Sequence, residues 1–206
     1  MVNPAPMTVD ELGHTANVSR ETLDRLRAYE ELLRRWQERI NLVSRDSLSD
    51  VWRRHFLDSL QLTKWVDPGQ RALDMGSGAG FPGMVLSIAC DAPVVLAESD
   101  ARKCAFLREV RRVTDAPAEV AEGRVETIAE RGFPLILARA LAPVALLLEY
   151  AAPMLAPDGV CVFLKGARAD EELKEARASW HLDVTEYPSA ADPRGVVLEI
   201  RKPERV

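Results

Sequence analysis

Cysteine is scarce in this chain: Cys90, Cys104 and Cys161 are odd in number, far apart and in no CxxC pairing. A disulfide framework and a cysteine-based zinc site are therefore excluded, and the thiols read as small buried hydrophobes. Long uncharged apolar runs are lacking too. The stretch from Leu135 to Leu155 is broken by Arg139, Pro143, Glu149 and Pro153, so it cannot supply the roughly 20 apolar residues of a membrane-crossing helix. Met1 to Asp10 holds no basic segment followed by an apolar one, which removes any sign of export and leads us to expect a cytoplasmic protein without a membrane partner. Positive charge is not in excess either, with 27 Lys+Arg against 32 Asp+Glu and a formal net charge of −5. Global attraction to nucleic acid is excluded, and any such contact must be local. Neither an internal repeat nor a low-complexity tract is visible.

What is present suffices for one sizeable core with an appendage, since 47% of the 206 residues are hydrophobic. Residues 1–18 read as a tail with one short helix, opened by the capping-box pattern Thr8 to Glu11. From Ser19 the apolar residues Leu26, Tyr29, Leu33, Trp36, Ile40 and Val43 recur at three- and four-residue steps, predicting one continuous helix. A second capping box, Ser47 to Asp50, predicts another helix through Trp52, Phe56 and Leu60 to about Trp65. Asp67, Pro68 and Gly69 then force a turn. Residues 19–66 are thus expected to form a helical module.

Beyond it, short apolar runs alternate with helical patterns. Strands are predicted at Ala72 to Met75, Val94 to Glu98, Ala118 to Glu122, Leu135 to Ala138 and Val160 to Leu164, with helices beginning near Phe81, Ala101, Val125, Pro143 and Arg168. This alternation implies an α/β fold with a parallel sheet covered on both faces. Leu182 to Tyr187 and Val196 to Arg201 have no helix between them and predict a terminal antiparallel hairpin, seven strands in all, within a unit spanning 67–206.

The chemistry-bearing segment is Leu73-Asp74-Met75-Gly76-Ser77-Gly78-Ala79-Gly80-Phe81-Pro82-Gly83. Four glycines in eight residues between a strand and a helix let backbone approach a nucleotide-type ligand closely. Glu98 ends the next strand, where a carboxylate can accept from both hydroxyls of a ribose. The same glycines satisfy GxGxxG, so spacing alone leaves a dinucleotide open. Asp74 inside the turn would repel a pyrophosphate and suits a ligand carrying sulfonium and ammonium groups.

Together with these, Trp36, Ile40-Asn41-Leu42, Arg54-His55-Phe56-Leu57-Asp58-Ser59-Leu60, Glu98-Ser99, Lys103, Phe106-Leu107-Arg108, Gly123-Arg124-Val125-Glu126, Arg139-Ala140 and Lys165-Gly166 occur in one order along nearly the whole chain. In them the sequence resembles the RsmG (GidB) family of small-subunit ribosomal RNA methyltransferases. The resemblance implies a class I S-adenosylmethionine-dependent methyltransferase fold, Rossmann-like, with the cofactor over the carboxyl ends of the strands. It implies methylation of N7 of a guanine in the decoding-region (530) loop of 16S rRNA, either free or in a small-subunit particle, by an enzyme expected to be monomeric. Cofactor contacts are implied at Gly76, Gly78 and Phe81, at Glu98, at Val125 and Glu126 around the adenine, and at Arg139, with Asp74 in the same turn. Met75 and Ala138 depart from the residues usual in the family.

N7 already offers a lone pair, so positioning and electrostatics can carry the reaction without a general base or metal. Carbon methylation through a cysteine is disfavoured, because Cys90 and Cys104 fall in helices and Cys161 early in its strand. Arg139, at a strand's carboxyl end, offers planar donors to cofactor or base, a salt bridge being the alternative. His55 and Asp58, three apart on one helix face, would bond to each other or line the target-base pocket; a packed histidine beside a carboxylate is the alternative. Lys165 would reach a phosphate unless it is an ordinary exposed lysine. Arg108, Arg111 and Arg112 share a helix face and would contact RNA phosphates, or else complement a helix terminus. Arg27, Arg34, Arg35 and Arg39 alternate with Glu30, Glu31 and Glu38 and read as a salt-bridged surface. A dinucleotide-dependent oxidoreductase and a non-catalytic nucleotide sensor remain the competing classes.

Overall fold

The computed structural model describes residues 5–206. One sheet of seven strands forms the centre, in the order β3-β2-β1-β4-β5-β7-β6. The strands are β1 (Ala72–Met75), β2 (Val94–Glu98), β3 (Glu119–Glu122), β4 (Phe133–Arg139), β5 (Leu155–Lys165), β6 (Trp180–Pro188) and β7 (Val196–Arg205). The first five pair in parallel, while β7 runs antiparallel to both β5 and β6. The predicted parallel sheet with a terminal hairpin is the observed architecture.

Alternation along β1 divides the core. Ala72 faces a cluster with Leu96 and Leu137, while Leu73 and Met75 face a second cluster with Val95, Ile136 and Phe163. On the first face lie α5 (Gly83–Cys90), α6 (Ala101–Thr114) and the N-terminal helices; on the second lie α7 (Val144–Ala151) and α8 (Ala169–Ala176). Helix α5 is buried from Gly83 through Ile88 because α2 (Arg20–Gln37) and α4 (Asp58–Leu60) cover its outer side. A helix apolar all round needs such two-sided cover. The helical module and the sheet therefore share one continuous cluster, running from Leu12, Leu26 and Tyr29 to Leu96 and Leu135.

Thr8 caps α1 (Val9–Ala16) through the expected reciprocal bonds with Glu11. The long helix is shorter than its stripe predicts. Helix α2 stops at Gln37, whose side chain accepts from Leu42 N (2.9 Å) and Val43 N (3.0 Å) and donates to Val43 O (2.9 Å). Ile40 and Val43 thus rejoin the core from a folded-back loop. The next cap is Ser44, not Ser47: Ser44 accepts from Ser47 N at the start of α3 (Arg45–Leu48). The predicted single helix to Trp65 is instead a π-helix at Trp52–Leu57, then α4 and a 3₁₀ turn at Thr63–Trp65. No full helix follows Val125; a 3₁₀ turn at Val125–Thr127 gives way to extended chain at Ile128. Cys161 lies in the middle of β5 rather than early, because the strand begins at Leu155.

Candidate functional site

Strand order reverses between β1 and β4, since β2 and β3 lie to one side and β5 to the other. Loops leaving the carboxyl ends of these two strands must part there and open a crevice. The crevice is a cavity of about 940 Å³, near the upper end of the range for small-molecule sites, roughly 300–1,000 Å³. Its walls include the glycine turn after β1, Glu98 after β2, Gly123 to Glu126 after β3 and Arg139 to Leu141 after β4.

The glycines of the turn are not equivalent. Gly80 (φ +93°) lies against the core, where an added Cβ would meet the Tyr29 hydroxyl at 2.5 Å; at Gly83 it would meet Asp74 Cβ at 2.6 Å. Gly78 (φ +59°) differs, because its Cβ direction meets nothing nearer than Gly76 O at 3.8 Å. That position faces open cavity, and its left-handed backbone favours glycine.

Glu98 closes the turn. One carboxylate oxygen accepts from Gly78 N and the other from Asp100 N, both at 2.8 Å. Each oxygen keeps a further acceptor site. Asp74 is placed otherwise than expected: it is fully buried beneath the turn and absent from the cavity wall. Its Oδ2 accepts from Gly83 N at 3.1 Å, its Oδ1 has no partner among the described residues, and burial pushes its carboxyl up to about 7. Its role is to hold the first amide of α5 against β1.

Arg139 gathers the other wall. Its guanidinium donates to Asp58 Oδ2 (3.2 Å), to the Arg54 carbonyl (3.1 Å) and to His55 Nδ1 (2.8 Å), and lies 5.0 Å from the Phe81 ring centroid. Arginine only donates, so His55 Nδ1 is the acceptor and Nε2–H donates to Ser47 Oγ at 2.9 Å. Burial, reinforced by the charges of Arg139 and Arg54, lowers the His55 pKa to about 3. The imidazole is neutral, with both nitrogens engaged. His55 and Asp58 do not bond to each other, because the side chain of Arg139 stands between them. Burial raises the Asp58 carboxyl against the opposing pull of Arg139.

Phe81 is chiefly a packing hub, stacked with Tyr29 (5.4 Å, 11°) and with His55 (4.7 Å, 23°). Tyr29, from α2, also donates to the Ala79 carbonyl inside the glycine turn. Val125 and Glu126 lie on the wall near Tyr150.

Lys165 is not an exposed lysine. It donates to Ala142 O (2.9 Å) and pairs with Glu172 (2.6 Å), with only 9% of its side chain exposed. Arg108 pairs with Glu122 and Arg112 with Glu109, each at 2.8 Å, so two of the three arginines expected to contact RNA meet local carboxylates on the surface. Arg34 pairs with Glu30 and Arg27 with Asp24, as the alternating charges on α2 predict.

Gln61, Ser189 and Asp192 were not legible as site residues. Gln61 donates to Asp58 Oδ1 (2.9 Å) and accepts from Ala190 N (2.9 Å), linking the Arg139 cluster to the β6–β7 loop. Asp192 pairs with Arg54 at 3.1 Å on the cavity wall. The sequence signal for Ser189 and Asp192 was the Ser- and Asp-bearing loop between the hairpin strands, which local pattern assigns to solvent; Gln61, at the end of a helix, gave none.

The family pattern described as rRNA small subunit methyltransferase G matches residues 22–196. Ribosomal RNA small subunit methyltransferase G of Paramagnetospirillum magneticum is 50% identical over 200 residues, covering 97% of this chain and 98% of its own. The protein of that name from Rhodospirillum centenum is 54% identical over 199 residues, covering 96% and 92%. Among solved structures, a methyltransferase from Geobacter sulfurreducens superposes with a TM-score of 0.61 at 18% identity, covering 95% of this chain and 99% of that one. M. jannaschii TYW2, solved in complex with AdoMet, gives 0.53 at 15% identity, covering 72% and 77%. The likeness to solved structures reflects the shared sheet, and the sequence match runs from α2 to the first residue of β7 through every wall of the cavity: the chain belongs to the rRNA small subunit methyltransferase G family.

Proposed function

We propose that this protein transfers the methyl group of S-adenosylmethionine to N7 of a guanine in the decoding-region (530) loop of 16S rRNA, free or within a small-subunit particle. The observation that carries the reading is the form of the cavity. One half is a glycine-lined recess closed by Glu98, and the other continues beneath the helical module and holds no uncommitted proton acceptor at His55.

The recess fits the cofactor. Gly78 leaves its space open, Glu98 keeps acceptor sites for the ribose hydroxyls, and Gly76, Val125 and Glu126 line the same wall. When bound, the cofactor supplies an electrophilic methyl on sulfur. The chain's own residues then position the acceptor. Arg139 fixes the π-helix against β4, Phe81 supports that face, and Asp74 holds the turn from below. His55, neutral and with both nitrogens used, is poorly placed to remove a proton, and N7 attack requires none. Phosphates of the RNA would exchange for the carboxylate partners of Arg108 and Arg112, whose exposed pairs are weak, with Arg111 beside them. Lys165 would set the potential of the pocket through its pair with Glu172.

Tritiated methyl transfer to 16S rRNA and to small-subunit particles, followed by mapping of the modified base, tests this reading. Label at guanine N7 is the expected result; label on another base, or none on either substrate, overturns it. Thermal stabilisation by S-adenosylhomocysteine but not by NAD is expected, through mass action.

A further inference from the structure

Resting on the guanine-N7 reading, we propose that Asp192 in the β6–β7 loop reads the Watson–Crick edge of the target guanine, assisted by Arg54. An enzyme that alkylates N7 must turn that side of the base toward the cofactor, and recognition falls to the opposite edge. There guanine presents N1–H and N2–H as adjacent donors, which a carboxylate can take with its two oxygens, whereas adenine presents an acceptor at N1.

Five carboxylates line the cavity, and four are committed elsewhere. Glu98 and Glu126 belong to the cofactor recess. Glu172 is paired with Lys165 at 2.6 Å, and Asp58 is held between Arg139 (3.2 Å) and Gln61 (2.9 Å). Asp192 accepts one hydrogen bond on each oxygen, from Arg54 (3.1 Å) and from Arg194 N (2.9 Å), and the Arg194 guanidinium lies 3.7 Å from Oδ1; that side chain is 76% exposed and can swing to solvent, which leaves an acceptor site on each oxygen. The Asp192 side chain is 28% exposed, so a base can reach it.

The loop is also built more rigidly than a hairpin connection requires. Ser189 Oγ accepts from Ala191 N (3.1 Å) and Asp192 N (3.3 Å). The chain closes through Ser189 N to Gly195 O (3.0 Å) and Gly195 N to Asp192 O (2.8 Å). Gln61 clamps Ala190 from the helical module. A preorganised carboxylate loses little freedom on binding, and its unpaired state against a wrong base is what confers discrimination.

The test begins by mapping the methylated nucleotide with the wild-type protein. The same 16S rRNA is then assembled with inosine, which lacks the N2 amine, at that position, and kcat/KM is measured for wild type and Asp192→Asn. Wild type is expected to prefer guanosine over inosine by roughly ten- to hundred-fold, and Asp192→Asn to bring that ratio close to one while S-adenosylhomocysteine affinity and melting temperature hold. A mapped guanine N7 with an unchanged guanosine-to-inosine ratio in folded Asp192→Asn overturns the role of Asp192 and leaves the reaction standing. A mapped site other than guanine overturns both. Asp192→Ala, if folded, must lose the ratio as well; retention of it counts against the proposal equally.

Discussion

The glycine-lined half of the cavity is built mostly from main chain leaving β1, β2 and β3, whereas the half beneath the helical module is built from side chains that meet only in the folded protein. In the first, Gly78 and Glu98 are twenty residues apart and are joined by a hydrogen bond of 2.8 Å. In the second, Arg139 reaches Asp58 across 81 positions and Arg54 reaches Asp192 across 138. Main chain is held by the sheet and tolerates change in neighbouring side chains. A buried pair such as Arg139–Asp58 fails when one member is removed, because the other is left buried without a partner, whereas the more exposed Arg54–Asp192 pair leaves its remaining member in contact with water.

The largest effect should come from Arg139→Met, which leaves Asp58 half a pair. Both side chains are 17% exposed, so the loss of unfolding free energy should approach the ~3–5 kcal/mol typical of a broken buried pair. Chemical denaturation measures it, and adding Asp58→Asn should recover part of the loss. If Arg139→Met is as stable as wild type, the two halves do not differ in the way described.

Gly78→Val probes the main-chain half. The new side chain projects into open cavity, so S-adenosylhomocysteine affinity by calorimetry should fall about ten- to hundred-fold, corresponding to the ~1–3 kcal/mol cost of overpacking. Strain at φ +59° should lower stability as well, without unfolding the protein. Normal binding by the folded variant would place the cofactor elsewhere.

Titration separates the halves further, because Asp74 and His55 shift with opposite consequences. The folded pKa of His55, about 3, lies below the ~6.5 of an unfolded histidine. Its contribution is therefore full above pH ~6.5 and is lost as pH falls toward 3. The folded pKa of Asp74, about 7, lies above the ~3.9 of an unfolded aspartate. Burying it neutral favours the fold at low pH, and that advantage is lost as pH rises toward 7. Between pH ~4 and ~6.5 the two slopes oppose each other. Asp74→Asn should make stability rise more steeply with pH in this window, by up to ~1.4 kcal/mol per pH unit, and His55→Gln should lower the slope by a similar amount, tilting the curve downward with rising pH. Parallel stability–pH curves for the three proteins would contradict both placements.

The smallest effect belongs to the surface. Replacing Arg108, Arg111 and Arg112 with glutamine should leave stability almost unchanged, because exposed ion pairs contribute little. It should reduce the slope of log affinity against log salt for RNA by about 2 units, given ~0.7 per phosphate contact with a single strand. An unchanged slope would assign RNA attachment to the outer mouth of the cavity near Arg54.

Legibility followed the same division. The glycine turn, Glu98 and the succession of strands along the chain were readable because a strand, a tight turn and a helix start are specified within about ten residues, by sterics and by hydrogen-bond supply. Helix α2 was readable as an amphipathic stripe but not in its length. Gln37, a good helix former, ends it by using its side chain on Leu42 and Val43, a competition that periodicity cannot register. Lys165 was misplaced for a related reason. Its partner Glu172 lies on the helix that follows, and only packing decides whether such a pair forms in water or in the wall of a pocket.

By itself the sequence determined a parallel sheet closed by a hairpin and a glycine-rich turn at the end of its first strand, because alternation, glycine placement and strand-end carboxylates act locally. Tertiary structure alone decided that Asp74 would lie beneath that turn and that Arg139 would stand between His55 and Asp58. It also decided that the β6–β7 loop would bring Asp192 to the cavity through Gln61. These outcomes depend on which buried groups find partners once the helical module is pressed onto α5. That balance of desolvation against hydrogen bonding is set by neighbours distant along the chain.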